Sequence, residues 1–310
     1  MSGNIAGMAW LSRRADPSAS APRPAALPPK LRGALSRLGW TLVSVGLFVG
    51  LWELAWLVGL ADPRLLPPPH IFLGSIPDQA RFFNTATRWQ IGVNPAEGPS
   101  PYEAVFITIG ATSMRVFVGL AVAAVLSVTI GVLIRYFQLL ERLTLPTITL
   151  LSPVSPIAWL PIAIFIFGIG NAPAIFMVVV ALFFHMTLST ISQIDAVNRN
   201  YINVARTMGA TKRQIYARVI IPAILPQLLL VLRLNMFGAW MVVLVAETTG
   251  VGFGLGQVLS MARNTFNPSL VFFCIALIGV LGFLTDLILR MVQNRILYWV
   301  PQTAGVLRGL

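Results

Sequence analysis

Six stretches of this chain are apolar over the length of a membrane span, and a polar island separates the fourth from the fifth. A spanning helix needs about 20 predominantly apolar residues. Trp40–Leu60, Val105–Ile134, Leu143–Gly168, Ala172–Ile191, Leu228–Ala246 and Leu270–Leu289 meet that condition. The pattern predicts an all-α membrane protein with six transmembrane helices. Ahead of the first span, residues 1–36 are rich in Ala, Pro and Ser and read as a disordered tail. The Arg13-Arg14 pair has no apolar run close behind it, so a cleaved signal is not expected. Residues 301–310 form a second tail. Between the first two spans, residues 61–104 are punctuated by Pro67-Pro68-Pro69, Asn94-Pro95 and Gly98-Pro99-Ser100-Pro101, which predicts an ordered loop with one short helix over Ser75–Thr87.

The island lies in the loop 193–226 and runs from Tyr201 to Pro222. Its local signals predict two small helices. Gly209 suits the left-handed position that stops the first. Thr211 and Gln214 form a capping box for the second, in which the Thr hydroxyl meets the third amide and the Gln reaches back. Pro222 removes a donor and crowds the preceding turn, so the second helix is expected to end or kink there.

Composition sharpens this picture. Apolar residues make up 56% of the 310 and charged residues 10%, against about 25% charged in soluble domains. The net charge of +12 would suggest nucleic acid in a soluble chain, but here its distribution decides. With the amino terminus inside, sixteen Lys and Arg fall in inner segments and four in outer ones. The positive-inside rule then puts both termini and the island in the cytoplasm and residues 61–104 on the outer side of the membrane.

Candidate chemistry is sparse. The single cysteine, Cys274, and the two distant histidines, His70 and His185, supply neither a disulfide framework nor a metal site. The run GVGFGLGQ at 250–257 has neither phosphate-loop spacing and reads as a tight loop. Carboxylates are few and scattered, with no paired or catalytic cluster, so the chain is not expected to be an enzyme, and Glu53 and Asp286 are too isolated for the carboxylate relay of a self-powered transporter. The third span is broken by Pro146, Pro153, Pro156 and Pro161, which free carbonyls that protein, water or a cavity must satisfy. Ser152, Ser155 and Trp159 are therefore candidates for a polar path, although a kinked helix buried in protein would read the same way. Arg115, Arg233, Asn235, His185 and Glu53 are costly in hydrocarbon and should face the bundle or a cavity, and Arg115, Arg233, Asn235 and Glu247 join the path candidates. The two arginines could draw an anion, pair internally, for example with Glu53 or Glu247, or bond to backbone carbonyls.

The island also resembles the EAA loop of bacterial ABC importer permeases. In that pattern Glu-Ala-Ala is followed after three residues by Gly and after nine more by Ile-x-Leu-Pro. Here Asn203, Val204 and Ala205 are followed by Gly209 and by Val219-Ile220-Ile221-Pro222. Asn203 replaces the Glu and Val204 an Ala. The likeness extends from about Leu65 to Trp299. Ser152 to Pro161, Phe167-Gly168-Ile169-Gly170, and Val245-Ala246-Glu247 with Gly254-Leu255-Gly256 are similar to the nitrate, sulfonate, taurine and bicarbonate branch.

The resemblance implies the type I importer permease fold in a bacterial inner membrane. It implies a pathway formed with a second permease copy, two cytoplasmic ABC ATPase subunits carrying ATP and Mg, and a periplasmic solute-binding protein. It also implies that Asn203, Ala205, Gly209, Arg213, Arg218 and Pro222 serve the ATPase contact, with Ile215, Tyr216 and Val219 seated in the socket. No cofactor is expected in this chain. The solute implied is a small anion, with an aromatic acid or a thiamine-precursor pyrimidine as alternatives. A self-powered transporter or channel is the reading from another class.

Overall fold

The structure, a computed structural model, describes residues 29–60, 62, 65–91 and 100–299. The expected C-terminal tail, most of the N-terminal one and the turns at 92–99 lie outside the described residues. Among the described residues every regular element is helical. Contacts divide the chain at Leu60. The first unit holds one helix, α1 (Pro29–Leu57). It begins inside the segment read as tail, because Pro29 sits in a first turn, where its missing N–H costs no bond.

The second unit holds the rest. Two helices, α2 (Pro69–Gly74) and α3 (Ile76–Ile91), precede α4 (Pro101–Tyr136). Ser100 starts α4 through a capping box with Glu103. Next come α5 (Gln138–Leu151), a 3-10 turn (Pro156–Trp159), α6 (Leu160–Phe167) and α7 (Asn171–Asp195). The island forms α8 (Arg199–Thr207) and α9 (Lys212–Ile215). The chain ends in α10 (Ile221–Ala246), α11 (Leu255–Asn264) and α12 (Pro268–Ile296).

The largest packing surface joins α4 to α7. Gly119, Ala123, Ser127 and Gly131 repeat every fourth residue along one buried stripe of α4. Small residues at this spacing let membrane helices approach closely. A Cβ at Gly119 would lie 2.7 Å from Val178, and one at Gly131 would lie 2.8 Å from Thr190. Both pairings advance by twelve residues, so α4 and α7 run parallel. Arg115 meets Asn171 at one end of the pair and Arg135 meets Asp195 at the other.

That geometry settles the proline-rich segment. Among the described residues five helices are long and apolar enough to cross a membrane, and the α5 and α6 segments make a sixth span only if counted as one, bent by 104° between them. Because α4 and α7 are parallel, the chain between them must return across the bilayer. The pair is therefore a broken span, not a re-entrant loop.

One boundary differs from the sequence expectation. The helix that starts at Lys212 does not stop at Pro222 but continues to Thr249 as one 38-residue rod. Tyr216–Ile220 adopt a π turn, with the Ile221 amide donating to the Tyr216 carbonyl five residues back. In an α-helix the Pro222 ring would clash with the carbonyl four residues earlier. The wider π turn just ahead of it absorbs that crowding.

Candidate functional site

Two places in the second unit concentrate polar organisation, one at each end of α10. At the island, the Asn198 side chain accepts from the Asn200 amide at 2.9 Å to start α8. The helix closes with the Gly209 amide on the Arg206 carbonyl at 2.9 Å and the Ala210 amide on the Ala205 carbonyl at 3.0 Å. This is the Schellman pattern, with Gly209 at φ 78°. Thr211 and Gln214 then form the expected capping box.

The island is clamped to its own chain. Ile215, Ile220, Ile224 and Leu228 bury against Ile194, with Ile202 and Ala205 of α8 packed on them. Tyr216 donates its hydroxyl to the Arg135 carbonyl at 2.8 Å, and Lys212 Nζ donates to the Tyr136 carbonyl at 2.6 Å. Lys212 also sits 4.5 Å above the Tyr136 ring. Arg135 is shared between Glu141 and Asp195. These contacts bind the ends of α4, α5, α7 and α9 together.

This arrangement moves the outward apolar face from the second short helix to the first. Ile215, expected in a partner's socket, is buried inside this chain, and Tyr216 and Val219 are half-buried. A buried side chain already filling an apolar cluster has no surface to offer. Outward instead are Tyr201, Val204 and Met208 of α8 and its cap, 61%, 58% and 82% exposed. Asn203, Gly209, Arg213 and Arg218 are exposed around them, and Pro222 is half-buried. The spacing of residues 201, 204 and 208 is a helical stripe that periodicity alone could have found.

At the other end of α10, Glu247 opens a second π turn, Glu247–Val251. Its side chain and that of Arg115 are both 0% exposed, with Nη1 2.5 Å from Oε1. Thr112 donates its hydroxyl to the same oxygen at 2.8 Å and accepts the Leu255 amide at 3.1 Å. The Gly256 amide donates to the other carboxylate oxygen at 2.9 Å. Arg115 donates to Asn171 Oδ1 at 2.8 Å and to the Phe253 carbonyl at 3.0 Å, and its guanidinium lies 4.3 Å from the Phe253 ring centre. The glycine loop makes room: a Cβ at Gly254 would collide with the Glu247 carboxylate, and Gly254 stands at φ 134°. One buried clasp thus joins α4, α7, α10 and α11. Sequence reasoning left Glu53 and Glu247 both open as partners for Arg115 and did not find Thr112, Asn171 or Phe253.

The remaining path candidates lie elsewhere. Arg233 pairs with Asp286, which also binds Arg290, so Asp286 is not isolated. Asn235 donates to the Val231 carbonyl of its own helix at 2.9 Å. Ser152, Ser155 and Trp159 fall at the break between α5 and α6, where Ser155 is exposed and the other two are half-buried. Neither the groove along residues 237–244 and 278–286 nor the pocket beside residues 193–201 is lined by any of these path candidates. Among the described residues no group of His, Cys, Asp and Glu is placed to hold a metal.

Residues 116–298 match the family described as binding-protein-dependent transport system inner membrane component. The chain is 33% identical over 186 residues to a putative ABC transporter permease protein of Methanocaldococcus jannaschii, covering 60% of this chain and 70% of that one. It is 28% identical over 275 residues to the taurine transport system permease protein of Escherichia coli K12, covering 87% and 93%. Its fold is similar to a chain of the MetNI methionine ABC transporter in an inward-facing conformation, with a TM-score of 0.55, 20% identity, and coverage of 62% and 94%.

Proposed function

The chain belongs to the family of binding-protein-dependent transport inner-membrane components, and we propose that it is the permease subunit of an ATP-driven importer for a small anionic solute. In this reading two copies enclose the path and both termini are cytoplasmic. Two cytoplasmic ABC ATPase subunits supply ATP hydrolysis, each receiving one α8–α9 loop, and a periplasmic binding protein delivers the solute.

The observation that carries the coupling role is the exposed row Tyr201, Val204 and Met208 on a helix otherwise fastened to its own chain. An apolar stripe on a polar loop is stabilised when a partner covers it, by about 1.5–3 kcal/mol for each large side chain fully buried. Gly209 is exposed and carries no Cβ, so a partner backbone can approach the helix end.

Transmission follows from the rod. A displacement of α9 is carried along one helix from Lys212 to Thr249 and arrives at the Glu247 clasp. The π turns at 216–220 and 247–251 are the two points where that rod departs from α geometry. Such turns are frequent at functional sites.

Support for a solute that carries an oxyanion group comes from the near full-length likeness to a taurine permease, taurine being a zwitterion whose anionic end is a sulfonate. Arg115 and Arg233 add little to it, since each already has a carboxylate partner. The test is copurification with the cognate ATPase and solute-stimulated ATP hydrolysis in reconstituted vesicles. Val204→Asp and Met208→Asp should abolish both while leaving the permease folded. Unchanged copurification and stimulation would remove the coupling role from α8. Tight binding by the delivery protein of a solute with no anionic group would overturn the anion assignment.

A further inference from the structure

Between α10 and α12 lies an open groove of about 390 Å³, lined by Phe237, Met241 and Leu244 on one side and Ile278, Gly282 and Phe283 on the other. Asp286 stands at one end of it. The groove lies on two membrane-spanning helices. With a rise of about 1.5 Å per residue, its α12 side covers about 12 Å along the span. The floor is left bare on purpose: a Cβ added at Gly279 or Gly282 would meet nothing within 4 Å. Those glycines are not required by the packing of this chain against itself in the second unit.

Charge at the groove's end selects among occupants. Asp286 accepts from Arg233 on one side and from Arg290 Nε at 2.8 Å on the other. Two guanidinium groups share one carboxylate, which leaves one positive charge in surplus. The Arg290 side chain is 55% exposed, so it has donors turned outward. Arg295 follows in the last turn of the same helix. A second protein helix could fill the apolar part, but every carboxylate among the described residues already has a partner. A second copy of this chain would have to share or break one of those pairings to neutralise the surplus. A lipid phosphate neutralises it directly, and its acyl chain matches an apolar groove at membrane depth.

We propose that this groove is a binding site for one anionic phospholipid, with an acyl chain along α10 and α12 and the phosphate on the outward face of Arg290. Basic residues next to the cytoplasmic leaflet attract anionic headgroups, and apolar grooves between spans hold their chains. The inference concerns a lipid-facing surface and stands apart from the coupling role of α8.

The test uses the full-length protein in bilayer discs of phosphatidylcholine with a minority of phosphatidylglycerol, followed by native mass spectrometry of the released protein. The wild type should retain phosphatidylglycerol in preference to phosphatidylcholine. Arg290→Gln should lower that preference about fivefold, the effect of one basic residue near a membrane surface, and Arg290→Lys should keep it. Gly282→Leu should lose both lipids by filling the groove. Equal lipid ratios for wild type and Arg290→Gln would overturn the proposal. So would a Gly282→Leu protein that keeps its lipid but changes oligomeric state, which would give the groove to a second copy. If Gly282→Leu does not fold, the Gln and Lys variants at 290 decide.

Discussion

Arg115 Nη1 lies 2.5 Å from Glu247 Oε1, and neither side chain reaches solvent. Breaking a buried pair by removing one partner leaves an uncompensated charge and costs about 3–5 kcal/mol. Glu247→Leu and Arg115→Met should therefore each lower the thermal midpoint of the detergent-solubilised protein sharply. Arg115→Met with Glu247→Leu removes both charges together and should cost less than the two single losses added. Additive losses in that cycle, measured by unfolding of all four proteins, would mean that the two residues do not act as a pair.

The α4–α7 stripe makes a steric prediction. Gly131→Val places methyl groups where Thr190 already stands 2.8 Å from the position of an added Cβ. Overpacking of this kind costs about 1–3 kcal/mol. The same change at Gly110, where an added Cβ meets nothing within 4 Å, should be nearly neutral. Equal melting behaviour for the two variants would contradict the close approach of α4 to α7.

Much of the island was legible because its signals are local. The Gly209 stop and the Thr211–Gln214 box are written within four residues and are formed as expected. The six apolar stretches likewise announced the spans, since length and hydropathy suffice for that. What the sequence left open depends on neighbours far along the chain. Nothing local tells Arg115 to choose Glu247, which is 132 positions away and is brought there by the parallel packing of α4 and α7 and the course of α10. The same holds for Ile215: its helix is amphipathic, but whether the apolar face meets Ile194 and Ile224 or a partner is decided by tertiary packing. Pro222 misled for a different reason. Its usual effect assumes α geometry, and a π turn one residue ahead removes the conflict.

Gly209 separates strain from contact. At φ 78° an L residue pays about 1–2 kcal/mol, yet an added Cβ meets nothing within 4 Å. Gly209→Asn, which tolerates the left-handed region, should fold almost as the wild type. Gly209→Val should fold with only the backbone penalty. If an ATPase backbone closes on this position, both should lose solute-stimulated hydrolysis, and Val more completely. Full stimulation with Gly209→Asn and Gly209→Val alike would show that no partner approaches there.

Pro222→Ala returns an amide donor and removes the ring from the turn. The segment 216–220 is then free to relax from π to α geometry, which deletes one residue of bulge and turns α9 by about 100° relative to α10. The far end of α10 is fixed by the Glu247 clasp, so the rotation must appear at α9. Lys212 cannot then stay on the Tyr136 carbonyl, nor Tyr216 on that of Arg135. Cysteines introduced at 136 and 212 should be bridged in the parent by a short bifunctional thiol reagent, which replaces the reach of the Lys212 side chain, and bridged poorly when Pro222→Ala is added, with ATPase stimulation falling in parallel. Crosslinking and stimulation that both survive would mean that the π turn persists without Pro222, and that its geometry is imposed by the anchors at Arg135 and Tyr136.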